Sequence, residues 1–373
     1  MKQQGKIESS KLKVGDWVEV RSKEEILRTL DREGQLDGMP FMPEMFAFCG
    51  KRFQVYKRAH KTCDTVFPVR GRRVDRAVHL ETRCDGSAHG GCQASCLLFW
   101  KDAWLKRVGS KEGASPAAAR RAPENAGAPS CTELDVIRNA QAVDPADGET
   151  RYNCQATKLP YATEKLEWWD LRQYVEDYLS GNVGLWRLVC GAIYFLYYGI
   201  SQRTPIGGGF MLRLYDRLYP LWRGSPFPRR HGTIPEGEAT PVANLNIQPG
   251  ELVRIKPYSE ILTTLNTRDR NRGLYFDSEE VPYCGKEFRV LKRLERIVNE
   301  RTGKMQEMKT PSLILDGVIC ESRYSECRLG CPRSIYSYWR EIWVQRVGEC
   351  PDSPVKDLAE KSREDMEPAA SRR

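Results

Sequence analysis

Eight cysteines carry the strongest chemical signal in this sequence. Cys49, Cys84, Cys92 and Cys96 recur near the other end of the chain as Cys284, Cys320, Cys327 and Cys331. Four thiolates are what a tetrahedral Zn²⁺ site needs. A [2Fe–2S] or [4Fe–4S] cluster would accept the same four. The spacings are C-x7-C-x3-C in the first set and C-x6-C-x3-C in the second. These are compact loops, neither a C-x2-C zinc ribbon nor a ferredoxin run. An x3 separation puts two sulfurs on one face if the loop turns helical. The pairs Cys49-Gly50 and Cys284-Gly285 set a turn residue after a sulfur, where backbone N–H groups could support it. A site that uses all four sulfurs is closed, hence structural rather than catalytic. Two disulfides per set, or buried free thiols, would use the same residues.

Other chemical candidates are weaker. His60, Cys63, His79 and His89 have no Cys or His counterpart in the second set. His89 lies inside the Cys84–Cys92 loop and reads as an exposed loop residue, with a ligand or acid/base role as the alternative. Cys131, Cys154, Cys190 and Cys350 are singletons. A Cys154 nucleophile would need a base such as His231, which spacing does not supply. Gly207–Gly209 lacks the Lys-Ser/Thr of a phosphate loop, and no H-E-x-x-H, G-x-S-x-G or G-x-G-x-x-G occurs. No reaction follows from the sequence, and whether the chain is an enzyme is left open.

An internal repeat positions the cysteines. Residues 15–58 align without a gap onto 250–293, at an offset of 235, with 17 of 44 positions identical. Chance pairing gives about three. RCDGSAHGGCQASC (83–96) answers ICESRYSECRLGC (319–331), and FWKDAWLKRV (99–108) answers YWREIWVQRV (338–347). The expected architecture is α+β: two homologous small β-rich modules, 12–110 and 247–348, flanking a helical insert at 131–225. Residues 111–130 and 226–246 read as Pro/Gly/Ala-rich linkers, and 349–373 as a disordered charged tail.

Within each module, short strands surround Trp17–Val20, Phe53–Val55 and Trp104–Leu105. Ser22 and Glu25 form a capping box that predicts a helix over 24–30. The opener Gly15-Asp16-Trp17-Val18-Glu19-Val20 resembles that of SH3-like barrels, which implies a small barrel. In the insert, helices are expected over 164–178, 184–200 and 209–222. The second is apolar nearly all round and is read as a buried core helix.

Thirteen cysteines in a chain whose first residues, MKQQGKIESSKLKVGD, contain no apolar core suggest a reducing, cytoplasmic setting. No run of ~18 uncharged apolar residues predicts a membrane span. The net charge of +9 is uneven: +7 in 1–110, 0 in 111–250 and +2 in 251–373. Basic residues at 51–61 and 69–76 would suit nucleic acid or another polyanion, or a solvated strand edge. The favoured reading is a zinc-stapled tandem-module protein that binds a protein partner as a scaffold. The alternatives are an iron–sulfur redox or tailoring enzyme with a site between insert and modules, and a nucleic-acid-binding protein using 51–76.

Overall fold

The computed structural model describes residues 11–66, 70–109, 131–203, 214–217, 226–324 and 328–347, with no side-chain description for 200–203. Cys327, Cys350, Gly207–Gly209, the 111–130 linker and the 349–373 tail lie outside the described residues.

The first third forms nine strands: β1 (Trp17–Val20), β2 (Gln35–Leu36), β3 (Met39–Pro40), β4 (Arg52–Arg58), β5 (Lys61–Cys63), β6 (Gly71–Arg73), β7 (Ala77–Arg83), β8 (Leu97–Lys101) and β9 (Leu105–Arg107). Five of them make one sheet, in the order β8-β7-β4-β1-β9. The insert adds β10 (Gln141–Val143), β11 (Thr150–Tyr152) and β12 (Glu164–Leu166). The last third supplies β13 (Leu252–Ile255), β14 (Arg270–Asn271), β15 (Leu274–Tyr275), β16 (Glu287–Val298), β17 (Met305–Ile319), β18 (Tyr336–Arg340) and β19 (Val344–Arg346). Here the five-stranded order is β18-β17-β16-β13-β19. The fold is thus mixed helix and strand, with a curled half-barrel sheet and several small sheets.

Register follows the sequence offset. Trp17 faces Gln54 and Val18 faces Phe53 in β1/β4, while Leu252 faces Arg289 and Val253 faces Phe288 in β13/β16. Each sheet curls over its own apolar core. In the first, Phe41 meets Trp104 edge-on at 5.1 Å; in the second, Phe276 meets Trp343 edge-on at 5.2 Å. The indole of Trp104 donates to Thr29 Oγ1 at 3.1 Å, and that of Trp343 to Thr264 Oγ1 at 2.9 Å. Buried indoles need such partners.

Helix α1 (Lys23–Leu27) starts at Ser22, whose side chain accepts from Glu25 N while Glu25 reaches back to Ser22 N. The second copy has Pro257 at that place and starts its helix, Tyr258–Leu262, without a side-chain cap.

The insert is not a free-standing helical layer. Its helices α2 (Glu133–Asn139) and α3 (Gln155–Lys158) bring Cys131, Val136 and Leu159 into the first core. Residues 164–166, expected as helix, instead pair as β12 with β6, completing a three-stranded sheet β12-β6-β5. The helix α4 begins only at Arg172 and runs to Leu179. A helical period in the sequence lost here to an open sheet edge that accepted a strand. Helix α5 (Leu185–Arg203) keeps its expected place but not its burial. Trp186 is 77% exposed and Leu196 67% exposed, so one apolar face meets solvent. Residues 214–217 are helical. Among the described residues, no helix is long and apolar enough to cross a membrane.

Candidate metal centre

The loop joining β7 to β8 carries Cys84, Cys92 and Cys96. Its shape depends on glycine. Gly86 has φ +77° and its carbonyl accepts N–H groups from His89 and Gly91. A Cβ there would stand 2.0 Å from the Cys92 carbonyl oxygen. Gly90 (φ +62°) lets Tyr152 approach, where a Cβ would lie 2.3 Å from its hydroxyl. The turn therefore folds back on itself and against the insert.

A cavity of about 30 Å³ results, lined by Cys84, Cys92, Cys96, Cys154 and His89 among others. That is room for one water-sized sphere. The insert supplies Cys154 at the start of α3, and the second module closes the cavity with Val298. The backbone N–H of Val298 donates to Cys92 Sγ at 3.3 Å. Burial raises the Cys84 thiol, and Glu44 adds to it. Burial pushes Cys96 up to about 12, with Glu300 adding, and also raises Cys154. The main cause is the same in all three: a buried thiolate is poorly solvated here.

His89 lines this cavity and meets Glu44 behind it. His89 Nδ1 lies 2.7 Å from Glu44 Oε1, and the Cys84 thiol donates to the same oxygen at 3.4 Å. His89 Nε2 faces the Asn153 carbonyl at 3.3 Å. Both side chains are at least nine-tenths buried, and Glu44 Oε2 has no partner. Glu44, Cys84 and His89 are the one trio among the described residues whose donor atoms all lie within 4.8 Å of each other. No trio of the four cavity thiols meets that distance. His89 is thus a buried, doubly bonded residue rather than the exposed loop residue its position suggested.

A second group of sulfurs forms at the junction of the modules. Cys331 donates its thiol hydrogen to Cys63, drawing Cys63 down to about 6 against the effect of burial, with Arg333 and Arg328 assisting. The same bond drives Cys331 up. Cys320 is close enough for its charge to interact with both, and burial raises it. Arg333, 2% exposed, has Nη1 3.9 Å from Cys63 Sγ and Nη2 3.1 Å from Glu300.

The structure therefore gathers Cys84, Cys92 and Cys96 with Cys154, and Cys320 and Cys331 with Cys63. Cys49 and Cys284 are placed otherwise. Each caps a short 3-10 helix, Pro43–Phe48 and Ser278–Tyr283 respectively. Gly50 and Gly285, both at positive φ, send their N–H groups to the Val20 and Ile255 carbonyls rather than to a sulfur. Cys49 lies beside Lys23 and Glu24, half-buried, and Cys284 beside Glu280. A turn that needs Gly after a small side chain accounts for both pairs.

The sequence reading missed Glu44, although a signal existed. Glu44 is identical to Glu279 in the repeat, and Glu279 accepts backbone N–H groups from Arg323 and Tyr324 in the corresponding loop. A carboxylate thus holds the cysteine loop in each half. For Cys154 and Cys63 nothing local marked their partners.

The remaining candidates have structural partners. His60 contacts the Arg58 and Gln173 carbonyls. His79 Nδ1 bonds the Leu98 carbonyl at 2.8 Å, and burial lowers its pKa to about 3. His231 pairs with Asp269 at 3.0 Å, away from Cys154. Cys131 is buried in the first core and Cys190 is exposed on α5.

Three of the nine basic residues in 51–76 are consumed inside, while Lys51, Arg52, Arg70 and Arg76 stay exposed. Arg58 bonds Asp102, Lys61 bonds Asp177 and Arg72 bonds Asp64, each with a cation at least nine-tenths buried. These three charges are neither a solvated edge nor available to phosphates. No family model, curated protein or solved structure matches the chain.

Proposed function

We propose that this chain is a structural-zinc protein acting as a binding scaffold, with Cys84, Cys92, Cys96 and Cys154 as the ligands of one ion. The observation that carries the reading is the single cavity, of about 30 Å³, that these four thiols share. Its size suits one ion better than a cluster of irons and sulfides. Buried thiols raised by desolvation are protonated in the absence of a cation, and a divalent ion supplies the missing charge and displaces the protons. Tetrahedral thiolate ligands stand about 3.8 Å apart, so binding draws the sulfurs inward. The Val298 N–H supports one sulfur from outside.

In this reading each module is a small SH3-like barrel and the pair arose by duplication. The ion staples the cysteine loop to the insert and gives no open coordination position. The scaffold role draws on the apolar face left by Leu171, Val175, Leu179, Leu185 and Trp186, all exposed. Exposed apolar patches of this kind mark interaction surfaces. Leu171, Val175 and Leu179 also line an open groove of about 570 Å³ with Lys11, Lys13 and Arg58.

Elemental analysis of the purified chain tests the proposal. Zinc is expected, and Cys154→Ser should lose about one equivalent, while Cys49→Ser keeps the full content. Metal content untouched by Cys154→Ser sinks the ligand set. Visible absorbance with iron after anaerobic purification would replace zinc with the iron–sulfur reading.

A further inference from the structure

We infer that Glu44, Cys84 and His89 hold a divalent cation of their own, beside the four-thiol cavity and joined to it through the Cys84 sulfur. The inference shares that one ligand with the zinc reading above and otherwise stands on different residues. Glu44 is not part of the cavity wall, so the position lies beside the cavity rather than in it. Glu44 comes from the 3-10 helix Pro43–Phe48, and Cys84 and His89 from the loop between β7 and β8.

Three observations converge. The first is distance. His89 Nδ1 lies 2.7 Å and Cys84 Sγ 3.4 Å from Glu44 Oε1, and the three donor atoms all fall within 4.8 Å of one another. Zn²⁺ bonds nitrogen and oxygen at about 2.0–2.2 Å and sulfur at about 2.3 Å, so tetrahedral donors of these kinds stand roughly 3.3–3.6 Å apart. Side-chain shifts of about 1 Å reach that spacing.

The second is a missing partner. The Glu44 and His89 side chains are 3% and 1% exposed, yet Glu44 Oε2 has no hydrogen bond. A bare, buried carboxylate oxygen is costly, and a cation is the partner it lacks. Oε2 also offers a donor for the fourth position that three single-atom ligands leave on a tetrahedral ion.

The third is the orientation of the imidazole. His89 Nε2 lies 3.3 Å from the Asn153 carbonyl, which only accepts, so Nε2 carries a hydrogen. Nδ1 and Glu44 Oε1 are then two lone-pair atoms joined by one shared proton. A carbonyl behind the ring sets a metal-binding imidazole in the same way. A divalent ion takes the place of that proton and of the Cys84 thiol hydrogen, and both protons leave to solvent.

The second module shows what the same carboxylate does without these partners. Glu279 matches Glu44, Cys320 matches Cys84, and the second cysteine loop contains no histidine. Both Glu279 oxygens accept backbone N–H groups, from Arg323 and Tyr324. In the first module the N–H groups of Ser87 and His89 go to Asp85 and to the Gly86 carbonyl instead. Glu44 is left with side-chain donors alone.

The test strips the full chain with a chelator under reducing conditions and titrates it with Co²⁺, whose absorbance reports bound ion. The unmutated chain should plateau near two equivalents, one per site. Glu44→Gln and His89→Ala should each plateau near one and keep the intense thiolate absorbance of the four-thiol site. Cys154→Ser should also plateau near one. Glu279→Gln, the matched change in the second module, should keep two. A single equivalent that Cys154→Ser abolishes and Glu44→Gln leaves untouched overturns this site and leaves the four-thiol reading standing. A single equivalent with the opposite dependence supports this site and overturns the four-thiol reading. A single equivalent lost in both variants is one ion of mixed ligation and overturns the separate site. No binding at all overturns both. The unmutated plateau needs no variant, so a Glu44→Gln chain that fails to fold leaves the count as a test.

Discussion

The backbone N–H of Val298 donates to the sulfur of Cys92 at 3.3 Å, so the second module's long strand β16 ends on the first module's cysteine loop. Beside it, the Gln93 side chain accepts the N–H groups of Glu295 and Arg296 at 2.6 and 3.0 Å. Lys292 reaches Ser95 Oγ at 2.8 Å. A loop held this way is shared between modules and cannot rearrange without disturbing both.

The turn at Gly86 should tolerate no side chain. Gly86→Ala puts a Cβ against the Cys92 carbonyl at 2.0 Å while keeping a left-handed φ of +77°. Strain and overpacking together predict a loss of about 3 kcal/mol. Urea unfolding measures it, and a change below ~0.5 kcal/mol would show that the loop is not built as described. Gly91→Ala, with open space around its Cβ, is the control for positive φ alone.

Stability should depend on acid through His79. Its folded pKa, about 3, lies below the ordinary value because burial penalises the imidazolium. Below pH 6.5 the unfolded chain takes up a proton that the folded chain refuses. Stability is therefore full above that pH and falls as pH drops toward 3, by up to ~1.4 kcal/mol per pH unit. His79→Gln removes the titration, so the variant's stability curve between pH 6.5 and 5 should be flatter than that of the parent. Parallel curves would refute the assignment.

Lys61 and Asp177 form a buried pair at 2.5 Å, with the cation 2% and the carboxylate 0% exposed. Removing one partner strands the other charge. Lys61→Met should cost about 3–5 kcal/mol, and adding Asp177→Leu should restore much of it. If the single and double variants unfold at the same denaturant concentration, the pair does not bear on stability as proposed.

The two Trp–Thr bonds give a matched experiment. Thr29→Val and Thr264→Val keep side-chain volume close and leave the Trp104 and Trp343 indole N–H groups unpaired. Each should cost about 1–3 kcal/mol. Similar losses would establish that the two cores use the bond alike, whereas an effect confined to one would show that their packing has diverged.

How much could be read in advance varies by element. The 235-residue offset was visible because 17 identities survive at a fixed spacing, and the β1/β4 and β13/β16 registers follow it. The Ser22–Glu25 cap was legible because capping is local chemistry within four residues. The loop cysteines Cys84, Cys92 and Cys96 were legible as a group for the same reason: the chain keeps them close whatever the fold. Strand β12 was misread because its partner, β6, lies about ninety residues earlier, and helical period cannot report a free sheet edge. The face of α5 that meets solvent was misread because apolar composition does not state which side finds a neighbour.

The sequence by itself therefore determined the repeat, the count of thiols and the loops that carry most of them. Only the tertiary structure decided which sulfurs share a cavity, that Cys154 lines it with Cys84, Cys92 and Cys96, and that Glu44 contacts His89. It also turned Arg58, Lys61 and Arg72 from apparent surface charge into internal ion pairs. The physical reason is the same throughout. Local geometry follows from neighbours in the chain, whereas burial, desolvation and sulfur-to-sulfur approach follow from where distant segments cross, and no spacing encodes that.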